Sequence, residues 1–296
     1  MVKVVDTPGL THHYATINGI RMHWVEQGSG PLVVLLHGFP EFWYSWRHQL
    51  SALAGAGYRV VAPDQRGYNL TEKPRGVAAY AMDNLVEDVA ALIRHLGEER
   101  AAIVGHDWGG GVAWMFAMLR PGLTRRLVVM NCPHPAAMQR ALRRNPRQML
   151  RSWYILFFQL PKLPELAFRA RNYRAIERAF RGWALRPGTF SDADIRAYKE
   201  AAAQPGALTA AINWYRAAAR EFRRNRPLPV IEAPALLIWA TKDRALGVEL
   251  TRGLDRWVGD LRIRYVPRTS HWVQQEQPER VNRYLLEFLA EDERSL

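Results

Sequence analysis

The stretch from 101 to 116, AAIVGHDWGGGVAWMF, is the sequence feature that most constrains the fold. A short apolar run ends at Gly105, the tripeptide HDW follows, and three glycines lead into an apolar run with helical spacing. This pattern predicts a strand, a sharp turn and a helix, because the glycines at 105, 109 and 110 let the turn close without clashes. Such a turn lifts its central side chain, here Asp107, out of the sheet.

Strand-like apolar runs alternate with helical patterns along most of the chain. The strand candidates are residues 13–17, 21–26, 32–36, 59–62, 102–104, 127–130, 235–239 and 262–266. Helical patterns, for example at 81–96 and 278–290, separate or follow them. The alternation predicts an α/β fold with a mostly parallel, eight-stranded sheet. We expect this sheet to open antiparallel, because Asn18-Gly19 between the first two runs is a hairpin signal.

The segment from 134 to 225 interrupts the alternation. It contains no convincing strand and is rich in Arg, Ala and aromatic residues. Its helical pieces are separated by prolines, at Pro146, Pro161, Pro164, Pro187 and Pro205. We therefore expect an all-helical lid, residues 134–225, that is inserted into a core made of residues 1–133 and 226–296.

The net charge of +13 is concentrated in the expected lid. Residues 138–226 hold 19 Lys or Arg and 6 Asp or Glu, while the rest of the chain has 22 of each sign. No helix-turn-helix, zinc-finger or RNA-binding signature accompanies this charge, so we expect no nucleic-acid partner. We expect the arginines to lie on solvated faces of amphipathic helices, with docking on a membrane surface as the less favoured alternative.

The sequence also bears on the location of the protein. No apolar run is long enough to span a bilayer, and the N-terminal stretch lacks the apolar region of a signal peptide. Cys132 is the single cysteine and cannot form an internal disulfide. These observations predict a cytoplasmic protein, which we expect to be a monomer or a homodimer.

Asp107 occupies the place of a nucleophile in a strand–turn–helix motif. The helix that begins beside it directs N–H groups and the positive end of its dipole at the turn, which favours an ionised carboxylate there. The alternative role is that of a residue that only caps this helix. A carboxylate nucleophile leaves an ester, so the reaction also needs a base that activates water.

Two residues near the C-terminus complete such a set. Asp243 follows the seventh strand candidate and His271 follows the eighth, which gives the order nucleophile, acid, histidine. His271 would activate water, and Asp243 would hold its tautomer and stabilise the imidazolium. Asn131, after the sixth strand candidate, is uncharged and cannot be that acid.

The sequence LLHGFP, directly after the third strand candidate, supplies another loop at the same edge of the sheet. The N–H of Phe39 can point into the cavity, and with the N–H of Trp108 it would form an oxyanion hole for hydrolysis of the ester. Glu41 could place water or bond to the backbone, and the sequence leaves both roles open.

Five motifs, HGFPEFWYSW, APDQRGYNLTEKP, GHDWGG, ATKD and SHW, follow one another in this order. In these motifs the chain resembles the epoxide hydrolases of the α/β-hydrolase fold, from about residue 10 to 290. The resemblance implies an α/β-hydrolase core with a helical lid, a small apolar epoxide and water as substrates, and neither cofactor nor metal.

The resemblance also implies two lid tyrosines that donate hydrogen bonds to the epoxide oxygen. Tyr154 in RSWYILFFQLP and Tyr215 in AAINWYRAAAR match the family's tyrosine segments, and packing within the lid is their alternative role. The many aromatic residues of the lid indicate an apolar substrate pocket. The residues expected to line it are Trp108, Trp153, Phe157, Phe158, Trp214 and Trp272.

The function expected from these features is hydrolysis of an apolar epoxide to a vicinal diol through a covalent ester on Asp107. A haloalkane dehalogenase is the alternative, because the related dehalogenases use the same Asp nucleophile and the Trp108 indole could bind a halide. Phe39, however, stands where many haloalkane dehalogenases have Asn or Glu. A catalytically inactive ligand receptor with this fold is the alternative from another class.

Overall fold

The computed structural model describes residues 9–221 and 228–292. Its strands form one eight-stranded sheet in the order β1-β2-β4-β3-β5-β6-β7-β8. The strands are β1 Thr11–Ile17, β2 Ile20–Gln27, β3 Leu32–Leu36, β4 Arg59–Pro63, β5 Ala101–His106, β6 Thr124–Met130, β7 Ala235–Ala240 and β8 Leu261–Val266. Only the β1–β2 and β2–β4 pairs are antiparallel. The predicted strands and the mostly parallel sheet are therefore confirmed.

The hairpin between β1 and β2 turns at Asn18-Gly19, as predicted. Both residues have positive φ angles, of 47° and 76°, and the strands pair in register from Ile17 opposite Ile20. Two consecutive positive φ angles match the right-handed twist of the strands, which is why Asn-Gly is favoured at this position.

Helices connect and cover the strands. In chain order they are α1 Arg47–Gly55, α2 Met82–His95, α3 Trp108–Leu119, α4 Pro135–Arg144, α5 Pro146–Arg151, α6 Trp153–Phe157, α7 Leu163–Arg181, α8 Asp192–Ala203, α9 Ala207–Glu221, α10 Val273–Glu276 and α11 Pro278–Leu289. The two helices predicted at 81–96 and 278–290 agree with α2 and α11 to within one residue at each end.

The central strands are buried on both faces, so each face of the sheet has its own apolar cluster. Val34 and Ile103 point to the side of α2 and α3, and their neighbours Val33 and Val104 point to the side of α1 and α11. This alternation follows from the two-residue period of a strand. The parallel pairing of β3, β5, β6, β7 and β8 brings their carboxyl ends to one edge of the sheet, where the loops with the candidate catalytic residues begin.

The segment predicted as a lid contains only helices and their connections within residues 134–221. α7 is interrupted at 170–173, where the backbone leaves helical dihedral angles. The lid rests on the core through α9, whose Trp214 indole donates a 3.1 Å hydrogen bond to the Arg66 carbonyl. The boundary predicted at 225/226 lies outside the described residues, so the division into core and lid stays a prediction. Among the helices described, none has both the length and the apolar character needed to cross a bilayer.

Candidate active site

Asp107 lies at the sharp turn between β5 and α3. Its φ and ψ angles are 49° and −122°, a combination that is strained for a residue with a Cβ atom. The turn is tight enough that a Cβ atom on Gly105 would lie 2.2 Å from the Gly109 carbonyl oxygen. A Cβ atom on Gly109 would lie 2.0 Å from the Leu36 carbonyl oxygen. The glycines therefore permit the turn as the sequence predicted.

The two oxygens of the Asp107 carboxylate have different neighbours. Oδ1 accepts a 2.9 Å hydrogen bond from the Phe39 N–H, and Oδ2 lies 3.5 Å from Nε2 of His271. The side chain makes no capping hydrogen bond to α3. Burial alone would raise the pKa of Asp107, but the side-chain contact with His271, the charges of His271 and His106, and the Phe39 hydrogen bond hold this pKa below its ordinary value. Asp107 is thus an ionised carboxylate with Oδ1 held by the Phe39 N–H and Oδ2 facing His271.

The loop after β3 brings the Phe39 N–H to Asp107. A Cβ atom on Gly38 would lie 2.5 Å from the Asp107 Cβ atom, so only glycine allows the loop to approach this closely. The second predicted oxyanion donor, the Trp108 N–H, belongs to the first residue of α3, where N–H groups have no partner within the helix. The Phe39 N–H therefore bonds the carboxylate directly, and the Trp108 N–H belongs to the residue that follows Asp107 in the chain.

His271, in the loop after β8, lies between two carboxylates. Its Nδ1 atom is 2.6 Å from Oδ2 of Asp243, which lies in the loop after β7. Burial lowers the pKa of His271, but the Asp243 charge, the contacts with Asp107 and Asp243, and the Asp107 charge outweigh it and raise that pKa well above its usual value. The resting site therefore holds an imidazolium between Asp107 and Asp243.

Asp243 is itself held by several donors. The backbone N–H groups of Ala245 and Leu246 donate to its Oδ1 atom at 2.8 and 3.0 Å. Burial alone would raise the pKa of Asp243, but His271 and the hydrogen bonds from Asn131 and Leu246 lower it. These contacts fix the orientation of the acid and, through it, that of His271.

Asn131 belongs to the site, although its lack of charge excludes it as the acid. Its side-chain amide donates a 2.7 Å hydrogen bond to Oδ2 of Asp243, and its Oδ1 atom accepts from the Ala240 N–H at 2.9 Å. Asn131 thus ties the end of β6 to the acid loop. Its position at the carboxyl end of a strand next to β7 was the signal that could have identified it.

Glu41 connects the oxyanion loop with the His271 loop. Its Oε2 atom accepts from the Gly38 N–H at 2.9 Å and lies 2.7 Å from Nδ1 of His106, whose Nε2 donates to the His271 carbonyl at 2.9 Å. His106 thus links Glu41 to the backbone of the His271 loop. Of the two roles left open by the sequence, the structure provides the bond to the backbone. The sequence did not indicate His106 as a site residue, because its contacts with Glu41 and the His271 loop join distant parts of the chain.

Tyr154 on α6 and Tyr215 on α9 meet above the catalytic loops, with ring centroids 6.0 Å apart. The Tyr215 ring lies 4.9 Å from that of Trp108 and 5.4 Å from that of Phe39. Burial and the nearby Asp107 charge raise the pKa of both tyrosines, so both phenols are protonated at neutral pH. The structure therefore brings the two predicted tyrosines to the same site as Asp107.

The predicted pocket aromatics divide into groups. Three of these residues lie beside the tyrosines. The ring centroid of the buried Phe158 is 4.6 Å from that of Tyr215, and the ring centroid of Phe157 is 5.9 Å from that of Phe158. The ring centroid of Trp214 is 5.8 Å from that of Trp108.

Trp272 and Trp153 have other surroundings. The ring centroid of Trp272 lies 4.5 Å from that of Phe180 on α7 and 4.9 Å from that of His271. Trp153 is 63% exposed and contacts Phe157, with ring centroids 5.9 Å apart, whereas the prediction places it in the substrate pocket. Trp153 and Tyr154 point about 100° apart around the axis of α6, so the two side chains face different surroundings.

A metal site is not formed by the residues that the structure describes. Within 9–221 and 228–292, no group of three or more His, Cys, Asp or Glu side chains is placed to hold a metal ion. The His and carboxylate side chains of the site are instead paired with one another.

Stability should depend on pH through His271. Because its folded-state pKa is raised, its stabilisation is complete below the ordinary value of about 6.5 and is lost as the pH rises through the folded-state pKa. The pKa values of Asp107 and Asp243 are lowered, so their contribution is present above about pH 4 and is lost as the pH falls through their folded-state values. The charged triad therefore stabilises the fold most between these limits.

We expect the Tm difference between the parent and His271→Gln to be largest between about pH 4 and 6.5 and to shrink at alkaline pH. Each kcal/mol that the charged triad no longer contributes to the free energy of unfolding should reduce this difference by about 2–4 °C. Melting curves followed by circular dichroism measure this difference. The two chains share every other titrating group, so Tm profiles that run parallel across the alkaline range would contradict the charged triad.

Comparison with known proteins places this site in context. A family model described as alpha/beta hydrolase fold matches residues 31–278. An AB hydrolase superfamily protein of Bacillus subtilis, YfhM, is 43% identical over 95% of this chain and 98% of its own length. Epoxide hydrolase 2 of Caenorhabditis elegans is 38% identical over 95% of this chain and 80% of its own length. The crystal structure of a Bacillus megaterium epoxide hydrolase with an inhibitor superimposes with a TM-score of 0.87 at 31% identity, covering 94% of this chain and 99% of that one.

Proposed function

The chain belongs to the epoxide hydrolases of the α/β-hydrolase family, and from this premise we propose that it converts an apolar epoxide to a vicinal diol through an ester on Asp107. The observation that carries the proposal is the unequal environment of the Asp107 carboxylate. Oδ1 is held by the Phe39 N–H, and Oδ2 lies 3.5 Å from His271, below two protonated tyrosines.

In the first step, Oδ2 of Asp107 attacks one epoxide carbon. A new C–O bond forms to the carboxylate, and the C–O bond of the ring breaks. The resulting alkoxide is a poor leaving group, and it takes a proton from Tyr154 or Tyr215 while the other phenol donates a hydrogen bond. The charge of the carboxylate is consumed, and Oδ1 becomes the ester carbonyl oxygen with the Phe39 N–H already in place.

In the second step, water hydrolyses this ester. Alkylation removes the Asp107 charge that helps to raise the pKa of His271, so His271 gives up its proton more readily and replaces the one lost by the phenol. The neutral imidazole, still held by Asp243, then takes a proton from water as the water attacks the ester carbon. The oxyanion forms at Oδ1, next to the N–H groups of Phe39 and Trp108. Collapse of the intermediate breaks the C–O bond to the substrate oxygen, which takes the proton from the His271 imidazolium and leaves as the diol. The carboxylic acid left on Asp107 then gives its proton to His271, which restores the carboxylate and the imidazolium.

The surroundings of the tyrosines support an apolar substrate. The rings of Phe39 and Phe158 lie 5.4 and 4.6 Å from that of Tyr215, and Trp108 contacts it from another side. An epoxide between these rings would present its carbon skeleton to apolar surface and its oxygen to the two phenols.

Two substrates test the proposal directly. We expect the protein to convert styrene oxide to its diol and to release little bromide from 1-bromobutane, because the site offers two phenols to a leaving alkoxide. Diol is measured by chromatography and bromide by ion-selective electrode, with Asp107→Ala as the control for uncatalysed hydrolysis. Bromide release without diol would favour a haloalkane dehalogenase. If neither diol nor bromide formed, an inactive ligand receptor would be favoured.

A further inference from the structure

The α5–α6 region has an unusual outer surface. Met149, Leu150, Trp153 and Leu156 lie on the outside of these helices, and Leu150 and Leu156 are each 75% exposed. Met149, Trp153 and Leu156 are spaced as i, i+4 and i+7, so they share one face of a nearly continuous helical segment. A surface helix of a globular protein normally presents polar side chains on this side.

The inner side of the same segment is polar on α5 and apolar on α6, where Tyr154, Ile155 and Phe157 pack against the core. Gln148 is buried, donates to the Ala245 carbonyl at 2.8 Å and accepts from the Gly247 N–H at 3.0 Å. Its amide also donates to the Ser152 hydroxyl at 3.0 Å. The segment is therefore anchored to the core by polar contacts of α5 and apolar contacts of α6. These inner contacts leave Met149, Leu150, Trp153 and Leu156 uncovered, so packing on the core does not account for these four residues.

The exposed apolar residues continue onto the start of α7. Of the eleven large hydrophobic residues that are exposed among those described, seven lie between 149 and 166. The additional members are Leu160, Leu163 and Leu166. We refer to these seven residues as the apolar lid surface. Such a concentration of apolar side chains marks an interaction site more often than a scattered set does.

Cations outnumber acidic residues in the segment that carries this surface. Residues 140–175 hold nine Lys or Arg and a single acidic residue, Glu165. Glu165 is buried and paired with Arg216 at 2.8 Å, whereas Arg144, Arg147 and Arg151 are exposed. Two copies of this face would bring like charges together, which disfavours self-association through it. The charge and the apolar residues together fit a surface that is anionic outside and apolar inside.

We propose that the apolar lid surface docks on the surface of an anionic phospholipid bilayer. The leucines and Trp153 enter the boundary between headgroups and acyl chains, and the surrounding arginines bind phosphate groups. This peripheral contact differs from the solvated basic face that we favoured from sequence, because exposure of the leucines became visible only in the structure. It would bring Tyr154, on the inner side of α6, near a source of lipophilic epoxides, a consequence that rests on the proposed function.

Vesicle flotation tests the docking. The protein should float with vesicles that contain about 30 mol % phosphatidylserine at about 20 mM NaCl, and much less with phosphatidylcholine alone or at about 500 mM NaCl. Leu150→Glu/Leu156→Glu should lower the partition coefficient at least tenfold. The matched control is Leu185→Glu/Val230→Glu, at two residues that are also exposed but lie outside this surface, and it should bind like the parent.

A second pair of variants tests the cations. Arg147→Gln/Arg151→Gln should lower the partition coefficient about 5-fold per charge, while Arg75→Gln/Arg264→Gln, elsewhere on the surface, should change it much less. Circular dichroism verifies that each variant is folded.

Failure of the parent to float at low salt, or equal flotation of the lid variants and their controls, would overturn the proposal. So would a dimer in sedimentation velocity that Leu150→Glu/Leu156→Glu abolishes while the parent binds no vesicles. None of these measurements depends on catalysis, so the docking and the proposed function can fail separately.

Discussion

His271→Gln is expected to react once with an epoxide and then to stop. Asp107 keeps its carboxylate and its Phe39 hydrogen bond, so the ester can still form, but glutamine cannot take a proton from water. Loss of a general base lowers a rate by about 10²–10⁴-fold, so turnover should fall at least 100-fold. Mass spectrometry of protein mixed with styrene oxide should show an adduct of the substrate's mass on the peptide that contains Asp107.

A matched histidine variant is available for this experiment. His13 lies on β1 with its side chain 37% exposed, and His13→Gln should turn over like the parent without accumulating an adduct. An unmodified Asp107 peptide in His271→Gln, or an adduct at another residue, would contradict the ester on Asp107. A variant that keeps the parental rate would show that another group activates the water.

The sheet could be predicted from the sequence because its central strands are local apolar runs. Leu32–Leu36 consists entirely of Val and Leu, since a strand buried on both faces needs apolar residues at every position. Asn18-Gly19 and the glycines around Asp107 are equally local, because each satisfies a requirement of its own backbone. The order of Asp107, Asp243 and His271 became informative once the strands before them had been identified.

The supporting contacts of the site could not be predicted in the same way. Asn131 and Asp243 are 112 residues apart, and Glu41 and His106 are 65 residues apart. Neither pair leaves a pattern within one segment, because each contact arises only when neighbouring strands bring their loops to one edge. Asn131 was rejected as an acid on its charge alone, although a neutral amide is suited to donate to a buried carboxylate.

The lid exposes a different limit of sequence reasoning. Aromatic residues favour burial, which predicts that Trp153 lies in the pocket. Charged residues favour solvent, which predicts that the lid arginines are exposed. The orientation of α6 is set by partners elsewhere in the chain, with Gln148 bound to the loop after β7 and Tyr154 turned toward Tyr215. The sequence of a helix lists its side chains, but contacts with the rest of the protein determine which face of the helix is buried.

Tyr154→Phe/Tyr215→Phe is expected to remove nearly all epoxide turnover and leave the fold intact. Phenylalanine keeps each ring and its packing, including the contacts of Tyr215 with Phe158 and Trp108, so Tm should change little. The alkoxide formed on ring opening then has no proton donor, and general-acid assistance is worth about 10²–10⁴-fold. Diol formation from styrene oxide should therefore fall at least 100-fold, and each single variant should lose less, because the remaining phenol can still donate.

The matched control for this pair is Tyr14→Phe/Tyr265→Phe, which removes two hydroxyls from exposed residues of β1 and β8 and should leave turnover unchanged. Release of bromide from 1-bromobutane, where any is detected, should survive the lid variant, since a halide leaves without a proton. This difference separates the two chemistries that an Asp nucleophile can perform on this fold. If the lid variant opened epoxides at the parental rate, Tyr154 and Tyr215 would be packing residues and the leaving oxygen would take its proton elsewhere. Loss of epoxide opening with retained bromide release would instead locate the specificity for epoxides in the two lid phenols, above a nucleophile that serves both reactions.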